Sequence, residues 1–230
     1  MFFLPLNLIQ IQGYSEIHAG LSMLPIIILI ASISPFMGKF ADRRGVRIPL
    51  IIGPIITSAG FFIFSTFGIT SGSEAYWETF FLSFLFLGVG MGITVAPLTT
   101  AVMGAVSEDN TGIASGINNT VARAAGVLAI ALMGALALLS FKESIKKEIN
   151  VMDISIVMKN EIMLESSKFT AAEAPSSLSD ENKVIVKKLL NDSFIEAFNK
   201  VAYVASILTF LGGLMAFIFI KQKKPTKEKL

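Results

Sequence analysis

The chain has 230 residues, of which 53% are apolar and only 16% charged, with a net charge of +2, one His and no Cys. These values exclude disulfides and thiolate chemistry, leave little room for His-based metal or acid–base sites, and argue against nucleic acid as a partner. The apolar residues form long runs without the alternation of barrel strands, so the sequence predicts an all-α membrane protein with the lipid bilayer as its surroundings.

Six apolar segments follow one another along the chain, and about 20 helical residues are needed to cross the hydrocarbon. Their predicted bounds are residues 1–11, 20–37, 48–67, 77–98, 113–139 and 201–220. The first would extend only about 17 Å as a helix, and it lacks the basic start and the cleavage site of a signal peptide. We therefore expect it to be the second part of a truncated membrane helix; a re-entrant or interfacial segment is the alternative.

Basic residues in the short connections predict the orientation of the chain in the membrane. The connections at residues 13–19 and 68–76 contain no Lys or Arg. The connection after the second segment and the tail after the last are basic, with Lys39, Arg43, Arg44, Arg47, Lys221, Lys223, Lys224, Lys227 and Lys229. We expect a multi-pass protein of the cytoplasmic membrane with its C-terminus in the cytoplasm.

The connection between the last two segments, residues 140–200, is predicted to be an extracytoplasmic loop. Residues 141–164 mix apolar and charged positions at helical spacing, and residues 171–180 resemble a flexible link. Ser177, followed by Asp180 and Glu181, is typical of a helix start. An ordinary variable loop with interfacial helices and an extracytoplasmic cap or partner surface both remain open.

The basic connection after the second segment contains more than positive charge. Gly38 would let the helix end approach a neighbour, Gly45 would permit a tight turn, and Asp42 could face a helix N-terminus or accept bonds from an Arg. Arg43 and Arg44 would lie beside the negative C-terminal end of the second helix, and Pro49 suits the first turn of the third. The alternative is a plain loop that is basic only because it faces the cytoplasm.

This order, Gly38-x-x-x-Asp42-Arg43-x-Gly45-x-Arg47, resembles the signature loop of the major facilitator superfamily. There the loop joins the second and third helices of a six-helix half and helps latch the closed conformation. Residues 2–6 (FFLPL), 12–15 (QGYS), 88–92 (GVGMG) and 115–119 (SGINN) also resemble the C-terminal half of its fourteen-span drug:proton antiporters.

The resemblance implies a six-helix C-terminal half-bundle with a truncated first helix. It further implies secondary active efflux of a small-molecule substrate, amphipathic or cationic, together with a missing N-terminal transporter half. We find no Asp or Glu deep in the segments from residue 20 onward, so no proton carrier is assigned. No catalytic residue, metal site or cofactor is predicted. A truncated or non-transporting membrane protein, or an assembly partner, is the alternative.

Two segments have further candidate residues. In the fourth, Gly88, Gly90 and Gly92 are predicted to pack against neighbouring helices. In the fifth, Gly112 and Gly116 form a similar strip beside a polar line of three candidate cavity-lining residues, namely Ser115, Asn119 and Arg123. Arg123 would lie about 16 Å from the helix start. It is interpreted either as a cavity-lining or gating residue or as a side chain that extends to the cytoplasmic interface.

Overall fold

A computed structural model describes residues 3–152 and 154–221 of the chain, which there form α-helices, short helical turns and connections. The helices are α1 Phe3–Leu6, α2 Glu16–Ser22, α3 Leu24–Arg44, α4 Arg47–Phe64, α5 Phe80–Met103, α6 Thr111–Val151, α7 Ile156–Glu165 and α8 Asp180–Phe219. A π-helical turn, Asn7–Ile11, continues α1, and 3-10 turns lie at Gly72–Ala75, Glu108–Asn110 and Ser166–Ala171. The prediction of an all-α chain is confirmed for these ranges.

Five helical stretches of the described chain are long and apolar enough to cross a membrane. They are Glu16–Arg44 (α2 with α3), Arg47–Phe64, Phe80–Met103, Thr111–Val151 and Asp180–Phe219. The first three agree with the predicted second to fourth segments to within several residues. This agreement is expected because spanning a bilayer of about 30 Å requires an uninterrupted apolar helix, which leaves a clear pattern in any sequence.

The helices form a bundle in which α5 packs against both α3 and α4, α4 packs against α8, and α8 packs against α6. Its aromatic core includes Phe64, Phe80 and Phe84, and the ring centroids of Phe64 and Phe84 are 5.2 Å apart in an edge-to-face pair. Ser58 Oγ on α4 donates to the carbonyl oxygen of Ser206 on α8 at 2.9 Å. Side-chain packing and such interhelical bonds stabilise bundles in lipid, where burial of apolar surface contributes little.

The last two membrane helices extend far beyond their predicted bounds. α6 has 41 residues and α8 has 40, so each is about 60 Å long, twice the hydrocarbon thickness. Residues 140–200 are therefore mostly helical, and their assignment as the extracytoplasmic connection between the last two membrane segments stays a prediction. Charged residues end a hydropathy window but do not end a helix, because the charged positions are solvated once the helix has left the lipid.

Residues 140–200 form a helical cap whose buried apolar side chains continue the core of the bundle. Phe141, Ile145, Ile162, Val186 and Phe194 are all at most 2% exposed. Phe169, with φ 54° and ψ −112°, places its ring against those of Phe3, Phe141 and Phe194. The helical cap is thereby packed onto Phe3, the first residue of α1.

The start of α8 was predicted close to its observed position, but the capping residue was wrong. Ser179 is the N-cap, and its side chain accepts from the backbone N–H of Asn182 at 3.4 Å. Ser177 instead donates its hydroxyl to Glu161 Oε2 at 2.5 Å, across the cap to α7. Ser177 and Ser179 both precede the acidic first turn of α8, and either could cap it by sequence alone. Because Ser177 is bound to Glu161 of α7, Ser179 takes the N-cap position.

Candidate functional site

The turn between α3 and α4 (residues 38–47, the α3–α4 turn) is built on one glycine. Gly45 has φ 93°, a conformation in which a side chain would be strained, and its N–H donates to the Ala41 carbonyl at 2.8 Å. α4 begins at Arg47, so only two residues separate the helices. Arg43 and Arg44 lie in the last turn of α3, where positive charge complements the helix dipole.

Asp42 has a different partner from those expected for it. Thr100 Oγ1, near the end of α5, donates to Asp42 Oδ1 at 3.5 Å. Within residues 3–152 and 154–221, no Arg forms an ion pair with Asp42. The carboxylate therefore links α3 to α5 in this structure. The expected Arg or helix N-terminus is not among its contacts.

Gly38 lies on the face of α3 that approaches α5. A Cβ built at this position would lie 3.4 Å from Cβ of Ala96, the lower limit of ordinary van der Waals contact. α3 and α5 are thus close together at the end of the bundle where the α3–α4 turn lies, and Asp42 and Thr100 continue the same contact by one helical turn.

Arg47 connects the α3–α4 turn to the last helix. Its Nη2 donates to the Phe217 carbonyl oxygen at 3.0 Å, and its guanidinium carbon lies 5.4 Å from the centroid of the Phe217 ring. The Phe217 carbonyl is in the final turn of α8, where backbone acceptors lack helical partners and attract positive charge. One arginine therefore caps α8 from the start of α4.

The three predicted packing glycines of α5 lie on two faces of the helix, as their spacing in a helical repeat requires. Cβ atoms at Gly88 and Gly92 would meet α3, at 3.0 Å from Cα of Ile26 and 2.9 Å from Cβ of Ile33. A Cβ at Gly90 would meet α4, at 2.5 Å from the Thr57 backbone nitrogen. All three predicted packing positions of α5 are therefore at close helix–helix contacts, two on one face and one on another.

The predicted sites on α6 are arranged differently. Ser115, Asn119 and Arg123 lie one turn apart on a single face, and Asn119 and Arg123 are exposed. A Cβ at Gly112 or Gly116 would meet no atom of the described chain within 4 Å. These two glycines thus do not pack against a helix of the described chain, because α6 is exposed from Gly116 to Leu132 except at Asn118. Their role in helix packing stays a prediction.

The far end of the bundle, opposite the α3–α4 turn, is held by a buried glutamine. Gln12 is 3% exposed; its Nε2 donates to the Gly68 carbonyl at 3.0 Å, and its Oε1 accepts from both N and Oγ1 of Thr70 at 2.8 Å. The end of the π-helical turn is thereby fastened to the α4–α5 connection. The sequence contained no signal for this contact beyond a polar residue after an apolar run.

Tyr76, in the same connection, forms a second fastening. Its hydroxyl donates to the Ser22 carbonyl at 2.9 Å, which links the connection to the end of α2. Burial, with a smaller contribution from neighbouring Tyr14, raises the pKa of Tyr76 to about 12. Burial also raises the pKa of Tyr14. Both phenols therefore stay neutral at physiological pH.

An apolar cavity of about 170 Å³ lies among α1, α4, α5, α6 and α8. None of the predicted site residues lines it, and no local sequence pattern pointed to it. Its walls come from Phe3, Leu4, Phe61, Phe64, Leu87, Ala129, Ile130, Met133, Phe198, Val201, Ala202 and Ala205. In the described residues, no group of three or more His, Asp or Glu side chains is placed to hold a metal ion.

The sequence was compared with family models and with known proteins, and more than half of the chain matches one family model. A family model described as Major Facilitator Superfamily matches residues 1–142. The chain is 25% identical over 138 residues to the tetracenomycin C resistance and export protein of Streptomyces glaucescens, covering 59% of this chain and 24% of that protein.

Two further relatives have similar names. Multidrug resistance protein Stp of Mycobacterium tuberculosis is 29% identical over 126 residues, covering 54% of this chain and 22% of Stp. Multidrug transporter protein MdtP of Bacillus subtilis is 24% identical over 133 residues, covering 58% of this chain and 24% of MdtP. The aligned region spans about a quarter of the length of these relatives.

Proposed function

The chain belongs to the major facilitator superfamily, and from this premise we propose that it is the C-terminal half of an exporter of small amphipathic or cationic compounds. It is a multi-pass membrane protein of a transporter family rather than an enzyme. The family match over residues 1–142, which includes the whole α3–α4 turn, is the observation that carries the proposal. The relatives are named as drug-export and multidrug-resistance proteins, which supports export of small molecules.

The exporter works together with a matching N-terminal half, in a longer or a split protein. Alternating access in transporters of this kind is a rocking of one half against the other around a site at their interface. Ser115, Asn119 and Arg123 are the candidates of this half for lining that site. The transport is drug:proton antiport, and its proton-carrying carboxylates belong to the other half, since residues 20–41 and 47–103 of this chain have no Asp or Glu except at Glu74 and Glu78.

The α3–α4 turn acts as the conformational switch of this half. Asp42 contacts α5 and Arg47 contacts α8, so the turn joins four helices at one end of the bundle. A contact that is made in only one of two states shifts the population towards that state. Removing the Asp42 charge would therefore change the balance between inward-open and outward-open forms rather than the fold.

The chain lies in the cytoplasmic membrane with the α3–α4 turn and the C-terminus in the cytoplasm, and the helical cap outside. The basic residues at 39–47 support this orientation. The basic tail at residues 221–229 also supports this orientation by its sequence, and only its first residue, Lys221, is among the described residues.

Efflux of a cationic dye from cells tests the proposal. Cells that express residues 1–230 together with a matching N-terminal half should extrude the dye, whereas cells that express residues 1–230 alone should not. Asp42→Asn should reduce efflux at least tenfold at equal membrane abundance, and Asp109→Asn, an exposed acid in another connection, should leave it unchanged.

Two outcomes would contradict the proposal. Efflux by the chain alone would mean that a second half is not required. Absence of efflux with every matching half, despite normal insertion, would favour a non-transporting membrane protein or an assembly partner.

A further inference from the structure

One stretch of α6 lies outside the bundle although its composition is unsuited to lipid. Residues 115–128, the outlying segment, are exposed except for Ser115 and Asn118, which are half-buried. Val127 and Leu128 are 69% and 63% exposed. The other membrane helices bury one face against a neighbour, whereas the outlying segment has no such face in the described chain.

Arg123 lies level with the middle of a helix that is long and apolar enough to span the membrane. Ile130 of α6 lines the same cavity as Phe61 and Phe64, near the end of α4. Arg123 is about 10 Å along the helix axis from Ile130, towards the α6 start. This distance places it level with the middle of α4, which spans Arg47–Phe64. The guanidinium makes no hydrogen bond or ion pair with any residue that the structure describes.

Small residues beside Arg123 leave room for another backbone. A Cβ at Gly112, Gly116 or Gly126 would meet nothing within 4 Å in the described chain. Glycines at i and i+4 on a membrane helix permit close approach of a second helix. Asn119 and Ser115, one and two turns before Arg123 on the same face of α6, offer further hydrogen-bonding groups.

The charge of Arg123 determines which partner fits. A buried guanidinium needs a carboxylate or several carbonyl acceptors, and in membranes such charges face the bundle interior and pair with one another. The same stretch of α6 in a second copy of this chain has no acid to offer, because residues 111–142 contain no Asp or Glu. Two copies packed through this face would bring Arg123 close to Arg123, which opposes that pairing.

We infer that the outlying segment of α6 binds a membrane helix that presents an Asp or Glu opposite Arg123, with Gly112 and Gly116 admitting its backbone. The identity of this helix as part of the other transporter half rests on the proposed function. The chemistry of the partner rests only on the contacts and charges of α6.

Synthetic membrane-spanning peptides test this chemistry directly. The peptides consist of Leu and Ala over about 20 residues, with Glu, Gln or Lys at the centre and a fluorescent acceptor at one end. The full chain, with its donor dye on Ala105→Cys near the α6 start, is reconstituted in lipid vesicles, and energy transfer reports binding. No other Cys is present to take the dye.

We expect the Glu peptide to bind at least tenfold more tightly than the Gln peptide, and the Lys peptide to bind least. Arg123→Gln should abolish the difference between Glu and Gln, while Arg123→Lys should keep most of it. Lys146→Gln, on the same helix but in the helical cap, is the matched control and should change nothing. Gly116→Leu should weaken binding of all peptides without loss of folding, because its Cβ position is open.

Three results would overturn the inference. The first is equal binding of Glu and Gln peptides by the unaltered chain. The second is a Glu preference that persists in Arg123→Gln, which would place the basic group elsewhere. The third is energy transfer between two labelled copies that Gly116→Leu abolishes, which would identify a second copy as the occupant. Dye efflux is not measured, so failure of the exporter proposal and failure of this pairing are separate observations.

Discussion

Replacing Gly90 with Ala places one methyl group in a close contact between α5 and α4. The new Cβ would lie 2.5 Å from the Thr57 backbone nitrogen and 2.7 Å from the Gly53 carbonyl oxygen. Both are backbone atoms of α4, so no side-chain rotation can make room. α4 and α5 must move apart by about 1 Å to restore ordinary van der Waals distances.

The expected cost follows from that separation. A gap of about 0.5–1 Å forfeits a quarter to a half of each dispersion contact along the interface, and overpacking of a tight core typically costs about 1–3 kcal/mol. We expect Gly90→Ala to lower the free energy of unfolding by about that amount. For a chain of this size this corresponds to about 2–4 °C in Tm for each kcal/mol.

Gly126→Ala is the matched control, since it adds the same methyl group to a membrane helix at a point where no atom of the described residues lies within 4 Å. It should leave Tm unchanged or slightly higher, because Ala favours helix over Gly. Tm is measured in detergent from the fluorescence of Trp77, the only Trp of the chain. Equal Tm values for Gly90→Ala and the unaltered chain would refute the contact between α4 and α5 at this position.

Two further predictions concern the far end and the orientation. The pKa of Tyr76 in the folded chain is about 12, above its ordinary value of 10.0, so the neutral phenol stabilises the fold fully below pH 10 and this contribution is lost as the pH rises through 12. Tyr76→Phe should therefore make the free energy of unfolding less dependent on pH between these values. An alkaline unfolding transition that is the same in Tyr76→Phe and the unaltered chain would disprove this prediction. In intact cells an impermeant thiol reagent should label Ser71→Cys and leave Asp109→Cys unlabelled, and the opposite pattern would invert the proposed topology.

The α3–α4 turn shows which structural features the sequence can predict and which it cannot. Gly45 marked the turn because a positive φ favours glycine, and the structure has φ 93° there. Arg47 was singled out as well, but its partner Phe217 lies 170 residues later. Nothing in the local sequence specifies a contact over that separation.

Pairs of glycines with the same spacing in the sequence have different surroundings in the structure. Gly88, Gly92, Gly112 and Gly116 share the i, i+4 spacing that predicts helix packing. In the structure a Cβ added at either glycine of the first pair would meet α3, whereas one added at either glycine of the second pair would meet nothing within 4 Å in the described chain. Spacing indicates that a helix can be approached closely, and only the placement of the neighbouring helices decides whether it is.

By itself, the sequence determined the all-α membrane class, the positions of α3, α4 and α5 and the family, because a bilayer requires long apolar helices and the turn requires particular residues in order. The tertiary structure alone decided the continuation of α6 and α8 into the helical cap, the partners of Asp42, Gln12 and Arg47, and the exposure of Arg123. The physical reason is that periodicity and turn chemistry act over a few residues. Pairing between distant helices depends instead on how whole side-chain surfaces fit, and that fit has no local signature.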